Sequence, residues 1–267
     1  MRGAHVLIAL LILVMPVSVS AGKSEEPAPL KELLDRRGKA DPLHNSTVAQ
    51  LRPEAIREAA FVVGTQAGVK WRYAQIVDLL RSREHTLDTV FDFTPLLLNG
   101  GRVLPPVIVS AEQAFRVDSP VSATSSDATY TILIPARLIS APPNWRSYLL
   151  REDPVIDTVH AAVLPWDSDE REIWRTAVLS GWKQGLRHAD RVFEAGLNRL
   201  ARDYRGMLRF KLLAQQGMVS VPELNEGRLG ICVQDALLEV DQRVFRLTDP
   251  GRFRPVEDWH PVIGGGR

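Results

Sequence analysis

The sequence predicts an α+β fold in which two long helices pack together with small, mostly antiparallel sheets. Three observations predict it. Two proline-poor stretches, 53–83 and 169–216, carry apolar or small residues at steps of three and four. Between and after them lie short β-rich runs broken by Gly, Pro, Asn and Ser. Composition also fits an ordinary globular chain, with 267 residues, 45% hydrophobic and 24% charged.

The first segment is an export signal. Arg2 and His5 precede an apolar run at 6–15, then Pro16 and the small-residue stretch 17–21, so cleavage is expected between Ala21 and Gly22. Ten apolar residues give about 15 Å of helix against roughly 30 Å of hydrocarbon, too short to span a bilayer. No cysteine follows the signal, since Ala21 leads into Gly22-Lys23-Ser24, so a covalent lipid has no attachment point there. Residues 22–51 are polar, with acids and bases in balance, and read as a flexible linker.

The first long helix is expected from about Pro53, a suitable first-turn residue, to Arg83. Its stripe of Ile56, Ala59, Ala60, Val63 and Ala67 is mostly small, with Gly64 and Gly68 on its margin, which predicts close helix packing. Strand-like runs follow at 96–98, 103–109, 129–134 and 138–139. Pro105, Pro106 and Pro135 lack amide donors, which places their runs at a sheet edge or bulge. After Pro142 and Pro143, Asn144 should cap a short helix holding Trp145 and Tyr148.

The second long helix, 169–216, is the clearest element. Trp174, Gly181, Gly185, Gly196, Leu200 and Met207 recur on helical spacing, with Gly196 and Gly206 as places where it could bend or break and Gly217 as the stop. Trp174 and Trp182 share one side, a pattern that fits either core packing or an aromatic-anchored protein interface. Strand runs at 229–233, 237–240 and 244–247 close the folded region, placed at 52–250, and residues 251–267 read as a loose tail.

The chemistry is mostly negative. Lys plus Arg is 33 and Asp plus Glu is 32, a formal net of +1, so direct nucleic-acid binding is not expected. The lone Cys232 can form no internal disulfide or cysteine-rich zinc site. The sequence has no HExxH, no GxSxG elbow, no phosphate-binding GxxxxGK[ST] and no GxGxxG, so no catalytic residue, cofactor or metal ligand is assigned. His188 and Asp190 lie two apart on a helix and face different sides. Asp88, Asp92, Asp153 and Asp157 could pair only if the fold gathered them, which is the basis of an alternative reading as a periplasmic cell-wall hydrolase. Arg199, Arg202, Arg205, Arg209 and Lys211 make the end of the second long helix basic, as suits a helix C-terminus.

Four strings are long and unusual enough that chance does not account for them together: Val103-Leu-Pro-Pro-Val-Ile-Val, Ala141-Pro-Pro-Asn-Trp-Arg-Ser-Tyr-Leu, Glu170-Arg-Glu-Ile-Trp-Arg through Gly181-Trp-Lys-Gln-Gly, and Arg205-Gly-Met-Leu through Met218-Val. In that order and spacing, over about 52–247, the chain resembles the DotC family of type IVB secretion systems, called TraI on conjugative plasmids. The resemblance implies a non-enzymatic structural subunit of the outer-membrane core complex, facing the periplasm and bound to DotD-like and DotH-like subunits. Such complexes export protein effectors or a relaxase-bound DNA strand. Family members commonly carry a lipid on an N-terminal cysteine; the absence of that cysteine here implies membrane association through partners. The residues of these strings taken as the candidate interface or packing motif are Pro105, Pro106, Pro142, Pro143, Trp145, Tyr148, Trp174, Gly181, Trp182, Gly185, Gly206 and Met207.

Overall fold

The computed structural model describes residues 26–39, 46–119, 122–152, 154–156, 160–234 and 237–260. The export signal and its expected cleavage at Ala21 and Gly22 lie outside the described residues. In chain order the elements are α1 (Ala28–Leu34), α2 (Ser46–Ser82), α3 (Glu84–Val90), β1 (Val103–Leu104), β2 (Val107–Ser119), β3 (Ser122–Ile134), β4 (Arg137–Leu138), α4 (Trp145–Leu149), α5 (Ser168–Gln215), β5 (Glu223–Gln234) and β6 (Leu237–Asp249). The fold is therefore α+β, with two long helices, α2 and α5, packed together and small antiparallel sheets beside them.

The chain divides into two compact units. One comprises the chain up to Trp71 together with Val155–Leu186; the other comprises Arg72–Pro154 and everything from Arg187 on. Each long helix contributes its first part to the former and its second part to the latter.

The first unit is helical. α2 begins at Ser46, ahead of the expected Pro53, which sits inside the helix. Proline there deletes one backbone hydrogen bond, and the rest of a 37-residue helix carries it. Between α2 and α5 lie Ile56, Ala60, Val63, Ala67, Trp174, Ala177, Val178 and Trp182. α1 completes this core with Leu30 and Leu33, both buried, although residues 22–51 read as linker from composition. Two apolar residues three apart are enough to dock a two-turn helix that would be marginal alone in water.

The second unit holds the three two-stranded antiparallel ladders, β1 with β4, β2 with β3, and β5 with β6. Pro105 and Pro106 fall in neither strand; they separate the short β1 from the 13-residue β2, while Pro135 separates β3 from β4. Residues without a ladder donor thus mark where one ribbon gives way to another. Val107, Ile108, Phe210, Leu213 and Val219 are buried here, with Leu200 and Met207 from the same helix as Phe210.

Several local expectations are corrected. Residues 96–98 do not form a strand. Thr94–Leu96 is a 3-10 turn, opened by Asp92, whose Oδ1 accepts the Thr94 N–H at 2.9 Å. Asn99, Gly100 and Gly101 then take positive φ (51°, 66° and 87°), which reverses the chain so that Leu98 bridges to Val103. α5 runs unbroken from Ser168 to Gln215, with neither Gly196 nor Gly206 ending it. Runs 237–240 and 244–247 are one strand, β6. Residues 251–260 are tied down, because Ser220 N–H donates to Arg252 O, Arg254 N–H to Met218 O and His260 N–H to Gln216 O, at 2.8–2.9 Å.

Candidate functional site

The densest gathering of the sequence's candidate residues is the crossing of α2 and α5 within the helical unit. A Cβ built on Gly64 would lie 2.5 Å from Val178 O, and one on Gly68 2.5 Å from Trp182 O. From the other side, a Cβ on Gly181 would run into Phe61 O and one on Gly185 into Thr65 O. Four glycines therefore let two backbones touch where any side chain would hold them apart. The pairings 61 with 181 and 65 with 185 advance together, so the two helices run parallel here.

Tryptophans bracket this contact. Trp174 is 1% exposed and donates its indole N–H to Leu33 O at 2.8 Å, which fixes α1 against the crossing. Trp182 is buried with its ring 5.6 Å from that of Trp71. Of the two readings of Trp174 and Trp182, the side chains occupy the core.

Near the start of α5 lies a clamp that sequence reading missed. Arg52 donates to both carboxylate oxygens of Glu170, at 2.6 and 3.2 Å, and to the carbonyls of Ala162 and Leu164 at 2.5 and 3.1 Å, while its guanidinium covers the Trp166 ring at 3.7 Å. Trp166 N–H also donates to Glu170 Oε2 at 3.1 Å. The two side chains retain only 11% and 10% of their exposure. Asp167 caps the helix by accepting the Glu170 N–H at 2.8 Å. Nothing in the spacing of Arg52 and Glu170, 118 residues apart, signals this pairing.

The remaining candidates fall in the other unit. Asn144 caps α4 as expected, its Oδ1 accepting the Ser147 N–H at 3.1 Å. Trp145 is buried and donates its indole N–H to Asp88 Oδ1 at 2.7 Å; Arg146 donates to the same carboxylate at 2.7 and 3.2 Å and also binds Glu84. The Arg146 guanidinium, and next the Trp145 indole, hold the Asp88 carboxyl below its ordinary pKa. Tyr148 stacks on Phe93 at 6.0 Å, and Tyr204 meets Phe91 and Phe93 edge-on at 5.5 and 5.1 Å. Burial, reinforced by the Asp203 carboxylate, pushes the Tyr148 phenol up to about 12. Gly206 lies against Val107 and the Ile108 backbone, next to the buried Met207. Pro105 and Pro106 are buried, Pro143 is half-buried and Pro142 is exposed.

This arrangement holds elements together, and its charged groups are engaged in doing so. Asp88 and Asp92, two of the four acids considered for hydrolysis, are committed to Trp145 with Arg146 and to the Thr94 amide; Asp153 and Asp157 lie outside the described residues. Of the basic residues near the end of α5, Arg209 binds Ile108 O at 2.6 Å, Lys211 binds Pro95 O and Arg202 pairs with Asp203 at 2.8 Å. Among the described residues no group of three or more His, Cys, Asp or Glu could hold a metal ion. No helix among them is long and apolar enough to cross a membrane.

A family model described as "Type IV secretory system, conjugal DNA-protein transfer" matches residues 50–261. That span takes in α2 from its fifth residue on, α5 and all the sheets. The chain belongs to the TraI family of type IV secretory systems. Membership makes it a non-enzymatic structural protein of that apparatus. A search of the curated proteins returned no match. The TraI-family span begins two residues before Arg52 and ends just past His260, so it covers the clamp, the crossing and the bonded segment 251–260.

Proposed function

We propose that the chain is a structural subunit of the outer-membrane core complex of a type IVB secretion or conjugal transfer system, facing the periplasm and binding DotD-like and DotH-like partners. The observation that carries this reading is the family match over both units of the fold. In this reading residues 1–21 are an export signal removed between Ala21 and Gly22, and the DotC-like body, placed at 52–250 by the sequence, is joined by α1, the start of α2 and residues 251–260. Attachment to the outer membrane runs through the partners, since no cysteine follows the signal.

The candidate motif serves assembly indirectly. Trp145 and Trp174 are buried and bonded to Asp88 and Leu33 O, so they shape the surfaces that partners meet and do not themselves touch a partner. Loss of either should lower the yield of assembled complex. Affinity recovery of the tagged mature chain from crosslinked envelopes of its host, with partners identified by mass spectrometry, tests the proposal. DotD-like and DotH-like proteins in the outer-membrane fraction are the expected result; recovery of the chain alone would overturn it.

A further inference from the structure

Beside the helix crossing, α2 and α5 leave an open trough of about 580 Å³ within the helical unit. Its floor is apolar: Phe61, 38% exposed, lies on one side, with Ile173 and Ala177 on the other. Its rim is acidic, formed by Glu54 and Glu58 on α2 and Glu172 on α5. Arg57 offsets one of these by pairing with Glu54, so the rim keeps an excess of two negative charges. Glu58 makes no ion pair among the described residues. Leu51, Glu54, Glu58 and Phe61 follow one another at steps of three and four, and Leu51 is 70% exposed, so an exposed leucine continues the same face of α2.

The shape restricts what can lie there. Both walls are helices whose backbone groups are bonded internally, so neither offers an edge to which a strand could add. A guest must satisfy its own backbone and meet the walls through side chains, as a helix does. The furrow between two parallel helices accepts a third along its length, and residues 54–61 span roughly 10 Å, about two helical turns. Carboxylates flanking an apolar floor call for an apolar stripe with cations on both sides.

We propose that this trough docks an amphipathic helix of a partner protein, apolar along one stripe and rich in Lys or Arg on its flanks. The proposal rests on the reading of this chain as a subunit that binds other proteins of the apparatus. It adds where one of them binds and what chemistry that segment carries.

The test is a photo-crosslinking amino acid placed at Thr176, on the trough wall, in the full chain expressed in its host, with the crosslinked peptide sequenced. The expected adduct is a Lys/Arg-rich amphipathic segment of another protein, and its yield should fall about tenfold in the double variant Glu58→Lys, Glu172→Lys. Both glutamates are exposed, so helicity and melting temperature should stay unchanged. An adduct to a second copy of this chain, an adduct to phospholipid, or a yield indifferent to the charge reversal would overturn the proposal. Affinity recovery of the chain with its native glutamates separates it from the wider reading. Core partners recovered with that chain, while no segment is captured at its Thr176 position, would sink the trough and leave the core-complex role standing. Failure of the wild-type chain to recover any core partner would sink that role itself.

Discussion

The glycines of α5 meet two different kinds of neighbour. In the helical unit, Gly181 and Gly185 face the backbone of α2, where a Cβ on Gly185 would press on Thr65 O with Val69 N at 2.8 Å and Gly68 Cα at 3.0 Å. In the other unit, a Cβ on Gly196 would lie 2.8 Å from Tyr148 O, and one on Gly206 would run into a Val107 methyl with Ile108 N and O at 3.1 and 3.2 Å. One small-residue rhythm thus serves the contact between the two long helices at one end, and contacts with the short helix α4 and the strand β2 at the other. Two regular helices in backbone contact have no side chain between them to yield, whereas a methyl on Val107 can turn aside.

The same contrast holds for charge. Among the described residues the helical unit has one ion pair shielded on both sides, Arg52 with Glu170. The other unit relies on Asp88, Glu84 and Arg146, all partly exposed, around the buried Trp145 indole. A shielded pair is costly to break, because the surviving charge stays out of water; an exposed pair is screened and each member can rehydrate.

The comparison breaks most visibly at the clamp. Arg52→Ala should strand Glu170 and cost about 3–5 kcal/mol, read as a lower urea midpoint. Gly185→Leu comes next, at up to about 3 kcal/mol, because the α2–α5 crossing must open; loss of helical ellipticity together with the midpoint would check it. Gly206→Ala, set against a side chain as well as backbone, should cost less, about 1 kcal/mol, and a larger effect than that of Gly185→Leu would invert the comparison.

Two titrations sharpen the contrast further. Asp88 has its carboxyl pKa lowered in the fold, so its contribution is present above the ordinary carboxylate pKa and is lost as pH falls through the folded value. Asp88→Asn should flatten the acid limb of the stability profile. Tyr148 has its phenol raised from 10.0 to about 12, so its contribution is complete below pH 10 and disappears as pH rises toward 12. Tyr148→Phe should remove that alkaline step, measured as melting temperature against pH.

Much of the fold was legible in the sequence because the signals are local. Helical spacing marked α2 and α5, small residues at Gly64, Gly68, Gly181 and Gly185 marked close packing, and Asn144 marked the start of α4. The ribbons were harder to read. The middle of β2 and β3, from Ser110 to Thr131, is mostly polar, so alternation of apolar residues flags only their inner ends, and the ladder itself is defined by backbone bonds between distant residues. The clamp of Arg52 on Glu170 left no trace, since charged residues on helices ordinarily signal solvent.

By itself the sequence determined the α+β class, the two long helices, the rhythm of small and aromatic residues along them and the strings shared with the TraI family. Only the tertiary structure decided that Leu30 and Leu33 anchor a helix under Trp174, that residues 251–260 return to bond 216–220, and that Glu170 is shielded by Arg52. It also decided which glycine meets backbone and which meets a methyl. The physical reason is that periodicity and capping are set by neighbours three or four residues away, whereas burial and ion pairing depend on groups that folding brings in from a hundred residues distant.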